Sequence, residues 1–195
     1  NYGYNFQGET NETNNVSAGI PVTISAPDLI VTDVSAPAFA LLGGTASISW
    51  TVRNQAASAS AASQWYDYIV VSQDNVLGNG DDSYIDYRYT ATGDLPLDAS
   101  GGAHDRYAVT RNVTIPGYIG AGTRYVFIRA DYGNYQGETN ENNNASVAVQ
   151  ITLGAPDLVV SAASAAVASA AAGESISVTY TVTNQGADPA PADWQ

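Results

Sequence analysis

The nine residues Asp74-Asn75-Val76-Leu77-Gly78-Asn79-Gly80-Asp81-Asp82, with Asp86 just beyond, bring four carboxylates and two side-chain amides into thirteen positions. Such a group repels itself unless water or a hard cation bridges it, and Ca2+ prefers six to eight oxygen ligands, backbone carbonyls included. Asp74, Asn79, Asp81 and Asp82 are therefore candidate Ca2+ ligands. The loop lacks the acidic spacing and distal Glu of an EF-hand. Asn79-Gly80 is also a hairpin-turn dipeptide in its own right, so a polar turn is the competing reading.

A second acidic group joins Glu138 and Glu141 to Asn140 and Asn144, about a dozen residues before Asp157. Glu9, Glu12, Asn15 and Asp28 repeat it near the start of the chain. At a junction between repeated units, Glu138, Glu141 and Asn144 would bind Ca2+ and stiffen the hinge. The simpler alternative is a solvated Asn-rich turn, since Asn tolerates left-handed backbone and bonds its own chain.

Aromatic chemistry is concentrated in 13 tyrosines. Tyr84, Tyr87 and Tyr89 flank the first acidic loop, and Tyr2, Tyr4 and Phe6 parallel Tyr132 and Tyr135. Aromatics beside carboxylates can stack on sugar rings, which would make a carbohydrate-binding face, whereas cross-strand packing is the expected role. Trp50 and Trp65 sit in apolar strands and belong to the core. Catalysis finds little support. A glycosidase needs two carboxylates across a cleft, and no G-x-S-x-G elbow accompanies the sole histidine, His104, which reads as a solvated loop residue. The sequons at Asn11, Asn15, Asn112 and Asn144 are permissive for glycosylation.

The elements that position these groups follow from internal repetition. Gln7-Gly8-Glu9-Thr10-Asn11-Glu12 recurs as Gln136-Gly137-Glu138-Thr139-Asn140-Glu141, 129 residues on. The same offset carries Ala26-Pro27-Asp28-Leu29 to Ala155-Pro156-Asp157-Leu158 and Trp65 to Trp194, and an offset of 130 carries Asn54-Gln55 to Asn184-Gln185. The chain reads as a tandem array: residues 1–25 end one module, 26–153 form a complete one, and 154–195 begin a third. With no initiating Met and no signal segment, it is expected to be a piece of something longer.

Within the complete module the apolar period is two, as in Ile48, Trp50 and Val52 or Val147, Val149 and Ile151. About seven strands separated by Gly, Pro, Asn and Asp turns predict an all-β, antiparallel sandwich. The seven lie around Asp28–Val34, Ile48–Val52, Gln64–Gln73, Ser83–Thr90, Tyr107–Ile115, Thr123–Asp131 and Val147–Ile151. Ser161–Ala172 is rich in helix-forming Ala. Its counterpart Ser35–Gly44 holds Pro37 and Gly43-Gly44, however, so an extended connection is expected in both places.

Ala26-Pro27-Asp28-Leu29-Ile30-Val31, Ser49-Trp50-Thr51-Val52-Arg53-Asn54-Gln55, Trp65-Tyr66-Asp67-Tyr68, the Asp74–Asp82 loop and Glu138-Thr139-Asn140-Glu141-Asn142-Asn143-Asn144 together resemble the CARDB family, the cell-adhesion-related domain of bacteria. The resemblance implies a seven-stranded immunoglobulin-like sandwich, used in tandem within large secreted or surface proteins. At about 129 residues the repeat is longer than many members, and the excess is expected in Tyr89–Asp105. The reading that follows is a non-enzymatic structural or adhesive segment of a repetitive surface fibre, outside the cell and stabilised by Ca2+. Its alternatives are a filament subunit completed by strand pairing with neighbouring copies, and a carbohydrate-binding module.

Composition narrows the partners. Six basic residues, all Arg, face 19 acidic ones, for a net charge of −13. Counterion release from phosphate cannot then drive nucleic-acid binding. No apolar run approaches the ~20 residues of a membrane helix, so membrane insertion is not expected. The absence of Cys and Lys excludes disulfides, thiol chemistry and Lys–Asn isopeptide stapling. Partners are expected to be neighbouring repeats or copies of the chain, and surfaces or glycans at the cell exterior.

Overall fold

The computed structural model describes residues 8, 10–11, 13–62, 64–90 and 97–190. Strand β3 (Thr45–Asn54) shows most directly how the sequence dictates the architecture. Ala46, Ile48, Trp50, Val52 and Asn54 are at most 1% exposed, while the Ser, Thr and Arg between them face outward. Successive side chains of a strand point to opposite faces, so β3 has one apolar side and must bury it.

It pairs antiparallel with β1 (Leu29–Ser35) and β6 (Arg106–Thr114), giving a three-stranded sheet in the order β1-β3-β6. The facing sheet has five strands. These are β2 (Phe39–Leu41), β4 (Tyr66–Ser72), β5 (Ser83–Tyr89), β7 (Gly122–Arg129) and β8 (Val149–Gly154), in the order β2-β8-β7-β4-β5. Between the sheets, Ile48, Trp50 and Val52 cluster with Ile69, Val71, Val126, Ile128, Ile151 and Leu153. The result is an all-β sandwich.

The seven expected strands are all present, and an eighth, β2, lies where Ser35–Gly44 was read as a connection. Its origin is local. The register of β1 slips between Thr32 and Ser35, where Asp33 takes a φ of 54°. Pro37 then denies the chain an N–H for a continued ladder. The strand leaves the first sheet and re-pairs with β8 in the second. That pairing is parallel, Phe39 to Thr152 through Leu41 to Gly154, so the sandwich is antiparallel throughout except at this edge.

Beyond Gly154, β9 (Leu158–Ala165) and β10 (Val178–Asn184) form a two-stranded antiparallel sheet. No helix forms in the Ala-rich stretch, in keeping with its counterpart. The turn at the foot of this pair copies the module's own. Asn54 Oδ1 accepts from the N–H groups of Asp28 and Ala56, and Asn184 Oδ1 accepts from those of Asp157 and Gly186. A 3-10 turn at Gly117–Ile119 completes the elements. Among the described residues no helix is long and apolar enough to cross a membrane.

Candidate metal centre

The long connection from β7 to β8 opens with a turn that Asp131 organises. Asp131 and Asn134 adopt φ values of 42° and 50°, left-handed backbone that Asp and Asn accept more readily than other side chains. The Asp131 carboxylate accepts from the N–H groups of Tyr135 (2.9 Å) and Gln136 (2.8 Å), and Asp131 is 1% exposed. Two residues beyond Gln136, Glu138 faces back along the module. Its Oε2 accepts from the N–H of Leu29 at the first residue of β1, and its Oε1 accepts from Asn144 Nδ2 at 2.6 Å. Glu141 Oε1 accepts from the Glu138 N–H at 2.9 Å.

Carboxylate oxygens of Asp131, Glu138 and Glu141 thereby lie within 4.8 Å of one another. Burial raises the Glu138 carboxyl to about 7, with the charges of Asp131 and Glu141 adding to the effect and the Leu29 and Asn144 hydrogen bonds opposing it. Burial also raises Asp131, against its two backbone donors. Around this group Glu141 Oε2, Asn144 Oδ1 and Asn143 Oδ1 are buried oxygens with no hydrogen-bond donor. Unsatisfied buried acceptors cost about 1–3 kcal/mol each, and a cation is one thing that relieves them. The donor set is oxygen only, which suits a hard divalent ion over zinc or copper.

The structure thus brings Glu138, Glu141 and Asn144 together. It also adds Asp131, for which the sequence held no hint, because no acid stands at the matching place near Asn1 and Tyr2. The contacts point to the beginning of the same module, since Asn143 Nδ2 donates to Asp28 Oδ1 (2.8 Å) and the Thr139 N–H to the Pro27 carbonyl. Asp157, towards which the junction reading looked, hydrogen-bonds instead to Asn184 and Gln185. Asn144 is 4% exposed with its amide engaged, so its sequon is closed. Glu9 and Glu12 lie outside the described residues, as do Tyr2, Tyr4, Phe6, Trp194 and part of the expected insertion.

The first acidic loop is arranged differently. Asp74 Oδ1 accepts from the Val76 N–H (2.8 Å) and its Oδ2 from Asn79 Nδ2 (2.8 Å). Asp81 accepts from Ser72 Oγ (2.9 Å), and Asp82 Oδ2 from the Gly78 N–H. Gly78 and Gly80 supply the positive φ values of 94° and 102° that let the hairpin close. The carboxylates act as turn acceptors, with Asp82 Oδ1 buried and undonated. Asp86 is drawn elsewhere, into a two-point pair with Arg111 of β6 (2.8 and 3.2 Å) that ties the edges of the two sheets. A cavity of about 200 Å3 lies between the hairpin loop and the second acidic group, lined by Leu77 and Gly78 on one side and by Arg129, Glu141 and Asn144 on the other.

A buried carboxylate outside these groups is Asp67, fully enclosed on β4. Tyr107 Oη donates to it at 2.5 Å, Trp65 Nε1 at 3.1 Å and Trp50 Nε1 at 3.4 Å. Burial lifts its carboxyl to about 6 despite these donors and Arg88 at 4.0 Å. Trp50 and Trp65 are core residues, as expected; both aim their one polar atom at Asp67, and the Trp65 N–H also donates to Tyr107 Oη at 3.1 Å. The flanking Tyr66 and Tyr68 pair across strands with Tyr89 and Tyr87. His104 is an exposed loop residue, 3.8 Å from Asp98.

Residues 26–148, well over half of the chain, match the CARDB family profile. The chain belongs to the CARDB family. CARDB is a cell-adhesion-related, non-catalytic domain family. Among solved structures, this CARDB chain is similar to the CARDB domain of a Pyrococcus furiosus protein, crystallised in complex with di-metal ions. The two are 19% identical over 68% of this chain and 97% of that one, with a TM-score of 0.43. The solution structure of the same domain gives 18%, 67%, 97% and 0.44. A β-glucosidase from Listeria innocua in complex with isofagomine is 11% identical over 65% of this chain and 16% of the enzyme, with a TM-score of 0.40. No curated protein matches the sequence.

Proposed function

We propose that this CARDB chain is a non-enzymatic structural segment of a repetitive extracellular protein, and that Ca2+ braces its module at Asp131, Glu138 and Glu141. The observation that carries this reading is the three-carboxylate cluster within 4.8 Å, which holds the first residue of β1 and is edged by undonated buried oxygens. Asn144 Oδ1 is the natural fourth ligand. Bound Ca2+ would remove the mutual repulsion of the carboxylates and lock residues 27–29 to the β7–β8 connection. The 129-residue repetition supports a string of such modules, each fixed at the point where the chain enters it, with the uniform negative charge keeping neighbours soluble.

Thermal unfolding in EDTA and across a Ca2+ titration tests it. The melting temperature should rise with Ca2+ in the unaltered chain and in Asp74→Ala/Asp81→Ala, and the rise should vanish in Glu138→Gln/Glu141→Gln. At a hundredfold excess over Kd the gain is about 2.7 kcal/mol. A rise lost only in the Asp74/Asp81 variant would move the site to the hairpin loop, and no rise in any variant would remove Ca2+ from the reading.

A second reading, assembly through strand pairing between copies or repeats, is favoured by residues 17–25. Ile20, Val22 and Ile24 are 78–89% exposed, and 129 residues on they become Val149, Ile151 and Leu153 of β8, of which the last two are 1–2% exposed. A segment patterned as a central strand and left unpaired invites a partner. Light scattering at high concentration should then detect oligomers that Val22→Asp dissolves. A monodisperse monomer would rule this assembly out.

A further inference from the structure

Two tyrosines of β4, Tyr66 and Tyr68, stand on the outer face of the five-stranded sheet, opposite the inward Asp67 and Ile69. Tyr87 and Tyr89 of β5 pack beside them, and Tyr132 closes over them from the turn after β7. Ring centroids are 4.7 Å apart for Tyr66–Tyr89 and for Tyr68–Tyr132, and 5.5 Å for Tyr66–Tyr87 and Tyr68–Tyr87. Tyr84 extends the group, 5.0 Å from Tyr132. Tyr87, Tyr89 and Tyr132 are 40–49% exposed, so an oxidant in solution reaches them. The rings lean on one another at 31–67° in these β4–β5 and β4–Tyr132 pairs.

The rest of the composition steers oxidation to this face. Cys and Met, the side chains that ordinarily absorb oxidants first, are absent from the sequence. Trp50 and Trp65 are at most 1% exposed. Tyr118 and Tyr180 are more exposed, at 74% and 65%, but have no aromatic ring partner among the described residues. We propose that this tyrosine face is a site of oxidative cross-linking, at which a haem peroxidase with hydrogen peroxide joins Tyr66 to Tyr89 or Tyr68 to Tyr132 within one chain.

Each phenol gives up its O–H hydrogen as one electron and one proton. The two radicals then couple through the ring carbons ortho to oxygen, and the hydrogens on those carbons move to the oxygens through solvent, restoring both phenols. One carbon–carbon bond forms, two electrons and two protons leave the pair, and they reduce one hydrogen peroxide to two waters. Holding the rings side by side makes the coupling effectively unimolecular. The product would staple β4 to the edge strand β5 or to the turn that carries Asp131, in a chain with no Cys or Lys for other covalent links. The proposal is independent of Ca2+.

Dilute full-length chain, treated with a haem peroxidase and hydrogen peroxide, should develop dityrosine fluorescence at monomer mass less two hydrogens. Peptide mapping should join the segments holding residues 66 and 89, or 68 and 132. Tyr66→Phe/Tyr132→Phe, which keeps the rings and so the packing, should cut the yield at least fivefold, while Tyr118→Phe/Tyr180→Phe should leave it unchanged. Products found only as dimers, coupling through Tyr118 or Tyr180, or equal yield from the urea-unfolded chain would overturn the proposal.

Discussion

Glu138 and Asp67 carry carboxyls raised to about 7 and about 6, from ordinary values of 4.5 and 3.8. In the interval between each pair of values, the folded chain keeps a proton that the unfolded chain has lost, and unfolding free energy then falls as pH rises. Asp105 works in the opposite sense. The Arg106 hydrogen bond holds it low, so its contribution is present above its unfolded pKa and disappears as pH falls through the folded one. Metal-free protein should accordingly show a higher urea midpoint at pH 5 than at pH 8. Ca2+ should raise the midpoint at pH 8 more than at pH 5, because the ion competes with the Glu138 proton. At Asp67, alanine would strand the Trp50 indole N–H and the Tyr107 hydroxyl, while the Trp65 N–H keeps Tyr107 Oη as an acceptor at 3.1 Å. Asp67→Ala should cost about 2 kcal/mol or more, from two orphaned donors at roughly 1–3 kcal/mol each. Asp67→Asn, which keeps one acceptor oxygen, should cost less, and chemical denaturation distinguishes the two.

At the scale of elements, alternation in β3 and the repeated turn signals made the sandwich legible, because burial on one face imposes a period of two wherever a strand runs. β2 was hidden for the same reason. Three residues are too few to show a period, and its pairing depends on the bulge at Asp33, a tertiary event. Glu138 and Glu141 were visible as an acidic repeat, but their convergence with Asp131 comes from a turn whose left-handed residues no spacing rule marks. Asn54 shows the gap between pattern and role. Its repetition as Asn184 was plain, yet only the fold reveals that its side chain accepts from Asp28 and Ala56 and donates to the carbonyls of Ala59 and Asp98. Fully buried, it joins the end of β3 to the start of β1 and to the segment before β6. Asn54→Ala should therefore lower stability by about 2–4 kcal/mol, from several buried groups left unpaired at about 1–3 kcal/mol each. Asn184→Ala should barely move the main transition, and calorimetry on both variants checks this.

Over the whole molecule, the sandwich and the β9–β10 pair meet at Gly154 and Asp188. Asp188 Oδ2 accepts from the Ala155 N–H at 3.2 Å, and a Cβ on Gly154 would lie 2.5 Å from the same oxygen and 2.6 Å from Phe39 Cζ. Glycine is what lets the chain leave β8 this close to both. Asp188→Ala should leave the sandwich's melting unchanged while speeding hydrogen exchange at Ala155 and broadening the distances between labels placed on β3 and β10. The parallel edge pair bears on the same geometry. The chain enters the sandwich through β1 and leaves it after Gly154, so tension on the two ends reaches β8 from its last residue and, once β1 has parted from β3, β2 from its first. Two parallel strands pulled in that way slide lengthwise. The bonds from the Thr152 N–H to the Ala38 carbonyl and from the Leu42 N–H to the Gly154 carbonyl are then sheared together, whereas a hairpin opened from its free end would unzip one bond at a time. In a chain pulled from its two ends, the short strand that breaks the antiparallel rule would thus act as a shear clamp.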